Sequence, residues 1–303
     1  MSRVFSFPGQ GAQRVGMLQT LPDSKRVKHR IDEAEQILGC HLHTLDNHDA
    51  FQHTRNVQLA LTISGVIWAE TLIEQGIQPD YVQGLSIGAY PAAVIAGVLE
   101  FTDALTLVSL RGNLMQQAYP DGYGMTALLN THQQTLEHVL QQQRRAGDDV
   151  YLANLNSDSQ FVIAGAHTAM ERTVSLLKQG GHCSSRRLDV TVPSHCDLLT
   201  PQAEQLQQAL STVAMNRPSI RYLSAARARL LPTADAIRHD LAWNMASQVH
   251  WHDCNSLLAE RGVTCVFEMP PGGTLTPLSR RAMAQARCLA VNDHSLEHLQ
   301  QLA

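Results

Sequence analysis

One stretch constrains this chain more than any other: Val82-Gln83-Gly84-Leu85-Ser86-Ile87-Gly88-Ala89-Tyr90. A short apolar run over 81–85 leads into a serine with glycine two residues away on each side, and small residues (Ala92, Ala93, Ala96, Gly97) follow at once. A strand, a tight turn and a helix in that order hold a serine hydroxyl clear of a sheet edge. The glycines matter because the serine backbone sits in a strained turn, where a Cβ at 84 or 88 would strike the neighbouring strand or helix. The helix start beneath the serine leaves N–H groups free to receive negative charge. The same residues also fit a plain Gly/Ser turn between a buried strand and a buried helix, so the remaining chain has to decide.

Composition narrows the classes. With 303 residues, 44% of them hydrophobic and 17% charged, the chain can bury one large core and carry a smaller unit beside it. A net charge of −4 without any long Lys/Arg run excludes nucleic acid or an anionic membrane as the main partner. The N-terminus lacks a secretory apolar region, and the apolar run 59–69 is short for a membrane span, so a cytoplasmic location is expected. Six cysteines without a C-x-x-C pair fit reduced, mostly buried thiols. His41, His43, His48 and His53 lie close in sequence but lack a closed ligand spacing, and no metal site is expected.

Taken in order, residues 3–7 read as a first strand ending at Pro8, and Pro8-Gly9-Gln10-Gly11-Ala12-Gln13 as a glycine-rich loop. Such a loop sits at the carboxyl edge of an α/β sheet, where ligands bind. It has no Lys-Ser/Thr ending and is therefore no phosphate loop. Helices are expected at 29–38, 57–74, 87–96 and 101–118, the last with Leu105, Val108 and Met115 on one face and Arg111 among them. A cation on an apolar stripe is either a snorkelling side chain or a buried charge awaiting an anion, and the residues alone leave both open. From 122 to 190 the texture becomes strand, helix, strand, strand, helix, strand, the split βαβ order of a ferredoxin-like unit. Val192-Pro193-Ser194-His195-Cys196-Asp197 then opens a further helix, with Asp197 as its expected N-cap. His195, after a rigid proline, is either a side chain aimed into a crevice or a surface histidine next to a capping serine, and the residues alone leave both open. Strands near 220–223, 264–268 and 288–291 and helices near 234–246 and 251–261 complete the pattern.

These motifs, in this order, resemble the malonyl-CoA:acyl carrier protein transacylases and the acyltransferase domains of fatty-acid and polyketide synthases. The resemblance spans nearly the whole chain and rests on the residues 7–13, the elbow around Ser86, Arg111-Gly112 with Met115-Gln116, Asn154-Leu155-Asn156-Ser157 with Val162-Ile163-Ala164-Gly165, Val192 to His195, and Pro271-Gly272-Gly273. It implies an α/β fold, an α/β-hydrolase-like large domain over 1–122 and 191–303 with an inserted ferredoxin-like subdomain over 123–190. It further implies Ser86 as nucleophile, His195 as general base, backbone N–H groups of Gln10 and Ile87 as oxyanion hole, and Arg111 as holder of the malonyl carboxylate. Met115 and Asn154 would line the crevice, and the carbonyl orienting His195 would be that of His250.

What the resemblance implies for the reaction is transfer of malonyl from malonyl-CoA to a carrier-protein phosphopantetheine-type thiol through a malonyl-serine ester, with no bound cofactor. Fatty-acid-type enzymes usually carry Gly-His-Ser-Leu-Gly-Glu at the elbow, whereas Gly84-Leu85-Ser86-Ile87-Gly88-Ala89 is similar to the epsilon subunit of malonate decarboxylase. That likeness makes the carrier subunit of malonate decarboxylase the expected acceptor and its other subunits expected partners. The arginine pairs Arg186/Arg187 and Arg280/Arg281 are candidates for a basic rim facing the carrier protein. The alternatives are a fatty-acid-synthesis transacylase, a serine thioesterase or hydrolase, and a non-catalytic assembly subunit.

Overall fold

Residues 2–119, 121–181 and 183–302 are described by a computed structural model of the chain. In chain order it forms β1 (Arg3–Phe7), α1 (Lys25–Leu38), α2 (Thr54–Glu74), β2 (Tyr81–Gly84), α3 (Ala89–Ile95) and α4 (Phe101–Ala118). There follow β3 (Tyr123–Leu129), α5 (Gln133–Arg145), β4 (Val150–Leu155), β5 (Gln160–Ala166), α6 (His167–Gln179) and β6 (Ser184–Arg187). The chain closes with α7 (Thr200–Ser211), β7 (Arg221–Ser224), β8 (Arg229–Leu231), α8 (Ala234–Trp243), α9 (Trp251–Glu260), β9 (Cys265–Glu268), α10 (Thr276–Ala282), β10 (Arg287–Ala290) and α11 (Leu296–Leu302).

Two sheets result. The larger has the order β10-β9-β1-β2-β7-β8, parallel throughout except for the edge hairpin β7–β8. Both faces of β1 are buried, Phe5 and Phe7 in the main core and Val4 in a second cluster with Trp251, Leu258 and Val266, as a parallel sheet covered by helices demands. The smaller sheet, β4-β5-β3-β6, is antiparallel and backed by α5 and α6 through Leu136, Leu140, Met170 and Leu177. Its strand order is the ferredoxin-like one. The large unit with its mostly parallel sheet is α/β-hydrolase-like.

The elbow is set by close backbone approach. A Cβ on Gly84 would lie 2.0 Å from the carbonyl carbon of Gly88, and one on Gly88 would lie 2.2 Å from the carbonyl oxygen of Phe7. Neither neighbour is a side chain that could swing aside. Leu85 N–H donates to Phe7 O at 3.0 Å, so β1 and the turn after β2 are locked together at the carboxyl edge of the sheet. Tyr90, the second residue of α3, is fully buried and donates its hydroxyl to Leu241 O on α8 at 3.1 Å.

Several elements depart from the sequence expectation. Helix α1 begins earlier, at Lys25, because Ser24 caps it by accepting from Val27 N–H, and Gly39 at φ 66° ends it. Helix α2 runs 21 residues and is long and apolar enough to cross a bilayer, well beyond the 59–69 run, yet 83% of its apolar window is buried against the rest of the fold. Asp197 is no N-cap: it starts a 3-10 turn, Asp197–Leu199, and α7 begins after it without a side-chain cap. The edge strand β8 is three residues long with a charged first position, too short to show a period of two.

Gly84→Ala is expected to destabilise the fold by about 3 kcal/mol or more, since only backbone could yield to the new methyl. Thermal unfolding against the wild type checks this, and an unchanged midpoint would contradict the close approach.

Candidate active site

Ser86 follows β2 directly and takes φ 55°, a conformation that costs a non-glycine residue about 1–3 kcal/mol. His195 takes φ 66° on the segment between β6 and α7. Both outliers face one neighbourhood, which marks it as a place where backbone energy is exchanged for side-chain position. His195 is held there by its own N–H, which donates to Met245 O at 2.7 Å.

The His195 ring is 3% exposed. Its Nδ1 donates to Asn244 O at 2.7 Å and to Ser247 O at 3.2 Å. Two carbonyl acceptors on Nδ1 require the proton there, which leaves the Nε2 lone pair free to take another. Burial first, and then the nearby Arg111 cation, push the imidazole down to about 4, while the two carbonyls act the other way. At neutral pH the ring is uncharged. The orienting carbonyls therefore belong to Asn244 and Ser247 and not to His250. The reason is local: the His250 carbonyl accepts from Cys254 N–H at 3.1 Å as the first hydrogen bond of α9, so it is committed to that helix.

Arg111 lies on the buried face of α4, completely enclosed. Its Nη2 donates to Ser86 Oγ at 3.3 Å and to Asn244 Oδ1 at 3.1 Å. Its Nε and Nη1 are buried and, among the described residues, without a partner. Burial lowers the guanidinium to about 10, so it remains a cation at neutral pH. Of the two readings the sequence left open, the buried charge is the one found. A buried cation with unpaired donors is costly unless something anionic meets it.

Asn244, which the sequence pattern did not single out, joins the three. Its carbonyl holds His195, its Oδ1 holds Arg111, and its Nδ2 donates to Ser86 O at 3.4 Å. Ser86 and His195 make no direct hydrogen bond among the described residues; such contacts are often loose before substrate arrives. No motif of spacing could have revealed Asn244, because it lies at the end of α8, far along the chain from Ser86.

The other expected positions fall nearby in different degrees. Ile87, buried, is the second residue of the short 3-10 turn Ser86–Gly88, and Gln10 is half-buried on the loop after β1. That loop touches the elbow: a Cβ on Gly9 would lie 2.7 Å from the Leu85 side chain. Met115 is buried one turn beyond Arg111, its sulfur accepting from Gln58 Nε2 at 3.4 Å. Asn154 is buried on β4, its Oδ1 without a partner among the described residues, and β4 is bridged to the large unit through Val249. Cys196, beside His195, has its thiol pushed up to about 12 by burial, so it does not compete as a nucleophile. His41 pairs with Glu35 and His53 with Gln116, and no group of three metal-ligating side chains gathers among the described residues. Arg186, Arg187, Arg280 and Arg281 are all exposed, and Arg280 also donates to Cys288 O and Arg281 to Ser157 Oγ.

In the folded protein His195 is expected to titrate near 4 and not near 6.5. Unfolded chain then binds a proton that the folded one refuses, so this group makes stability fall as pH drops from about 6.5 towards about 4. Arg111→Leu should raise the titration part way, since burial remains. Ring-proton NMR against pH reads both, and a midpoint unmoved by removal of the cation would contradict the coupling.

Residues 4–297 match the acyl transferase domain family. The malonyl CoA-acyl carrier protein transacylase of Haemophilus influenzae is 36% identical over 296 residues, covering 95% of this chain and 94% of that protein. Among solved structures, FabD from Acinetobacter baumannii superposes with a TM-score of 0.94 at 31% identity, covering 99% of this chain and 98% of that one. A malonyl-transacylase in complex with its type II PKS acyl-carrier protein superposes with a TM-score of 0.93 at 32% identity, over 100% of both chains. With its fold, its elbow and its full-length likeness in agreement, the chain belongs to the acyl transferase domain family, among the malonyl CoA-acyl carrier protein transacylases.

Proposed function

We propose that Ser86, His195 and Arg111 carry malonyl from coenzyme A to a carrier-protein thiol. The observation that carries this reading is Arg111: a wholly buried cation, hydrogen-bonded to Ser86 Oγ, with donors left unpaired. Malonyl differs from acetyl by a free carboxylate, and a planar guanidinium binds a carboxylate through two parallel hydrogen bonds.

Ser86 Oγ attacks the thioester carbonyl while its proton passes to Nε2 of His195, the nitrogen left free by the two carbonyls on Nδ1. The carbonyl oxygen becomes an oxyanion, received by backbone N–H groups of Ile87 and Gln10, each such donor being worth about 10² to 10³ in rate. Collapse breaks the C–S bond, and coenzyme A leaves with the proton from His195. The carrier thiol then attacks the malonyl ester, His195 takes its proton and returns it to Oγ, and free serine is restored. Burial of the site favours this second thiol over water.

The acceptor we favour is the carrier subunit of malonate decarboxylase. Support comes from the elbow Gly84-Leu85-Ser86-Ile87-Gly88-Ala89, which is similar to that of the malonate decarboxylase epsilon subunit. A fatty-acid carrier is the second reading, favoured by the full-length likeness to malonyl CoA-acyl carrier protein transacylases.

Intact mass after brief exposure to malonyl-CoA should show one added malonyl group, absent in Ser86→Ala and discharged by a carrier thiol. Release of free malonate without an adduct would instead indicate a hydrolase. Presenting the two carrier proteins in competition separates the acceptors: preference for the ordinary fatty-acid carrier would remove the decarboxylase assignment. Arg111→Ala should lower malonyl transfer by about 10²-fold, two charged hydrogen bonds at about 1.5 kcal/mol each, while acetyl transfer holds or rises. Equal losses for both acyl groups would reject Arg111 as the carboxylate holder.

A further inference from the structure

We infer that Asn244 is a positioning residue that sets substrate choice by holding Arg111 without neutralising it, an inference that rests on the transacylase reading above. Its place is unusually well fixed. Helix α8, which ends at Asn244, is pinned by Asp240, whose carboxylate accepts from Tyr222 at 3.0 Å and from Ser224 at 2.5 Å. Tyr90 of the elbow helix holds the same helix at Leu241. The elbow and the end of α8 thus share one frame, and Asn244 projects from it onto the site.

The geometry of the guanidinium gives the side chain its task. A carboxylate fork on arginine always uses Nη2, together with either Nε or Nη1. Both Nη2 protons are taken, one by Ser86 Oγ and one by Asn244 Oδ1, while Nε and Nη1 have no partner among the described residues. When Oγ becomes an ester oxygen it is a poorer acceptor, and that Nη2 proton is released to the carboxylate of the arriving acyl group. Asn244 keeps the other proton and so fixes the guanidinium plane. The side chain must be neutral for this. An acid in the same place would hold Arg111 at least as firmly but would supply the negative charge that the substrate brings.

Asn244→Asp keeps the acceptor oxygen, the shape and the His195-orienting backbone carbonyl. It loses the Nδ2 donation to Ser86 O, a change that bears on both acyl substrates alike, so the malonyl-against-acetyl comparison isolates the role at Arg111. The variant is expected to stay folded and to raise the KM for malonyl-CoA at least tenfold more than it raises the KM for acetyl-CoA. Should the new acid prevent folding, Asn244→Ser removes the hold on Arg111 without adding charge, and the malonyl-over-acetyl preference should fall at least fivefold. An unchanged malonyl KM in Asn244→Asp, or an unchanged preference in Asn244→Ser, overturns the inference. Wild type assayed alongside distinguishes the failures: if it forms no malonyl-serine, the transacylase reading falls and this one with it. If it does and the variants match it, only the role of Asn244 is lost.

Discussion

The site depends on a charge placed where water cannot reach it. Arg111, on α4, is fully enclosed beside the elbow and the end of α8, and it keeps donors that no group among the described residues satisfies. A guanidinium in that position is expensive in the free protein, so its cost has to be met by something else in the fold or by a ligand. Here the partial answer is Asn244 and Ser86. The rest of the answer has the shape of a carboxylate.

The same charge reaches the base. His195 is buried beside Arg111, and both effects favour the neutral imidazole. A neutral ring with its proton on Nδ1 is the form able to accept a proton at Nε2, so the cation proposed to hold the acyl carboxylate also keeps His195 in the form its proposed role as base requires. No acidic side chain is needed to orient the ring, because two main-chain carbonyls from one irregular turn do it. That economy explains why Asn244 carries so many contacts: one residue lends its carbonyl to the base, its oxygen to the cation and its amide to the serine.

Much of this was legible along the chain. The elbow announces itself because backbone collision leaves only glycine at 84 and 88, a local constraint that survives in the letters. The alternation of strands and helices from 123 to 187 maps onto the smaller sheet because each element is long enough to show its period. His195 could be singled out by the Pro-Ser before it. By contrast, His250 was chosen as the orienting position because it matched a family pattern, and the structure assigns that task to Asn244 and Ser247. Main-chain carbonyls carry no side-chain signature, so nothing in residue identity could point to them.

Local rules therefore determined what is local: where strands turn into helices, which positions must be glycine, and which serine stands at a sheet edge. Only the tertiary structure decided whether Arg111 is a surface cation with a buried stem or a charge sealed in the core, since that depends on how α1, α2, α3 and α7 close over α4. The helical period is identical in the two cases. The environment differs, and it is the environment, by removing water from a guanidinium and leaving two of its nitrogens unpaired, that turns an ordinary arginine into a candidate carboxylate site.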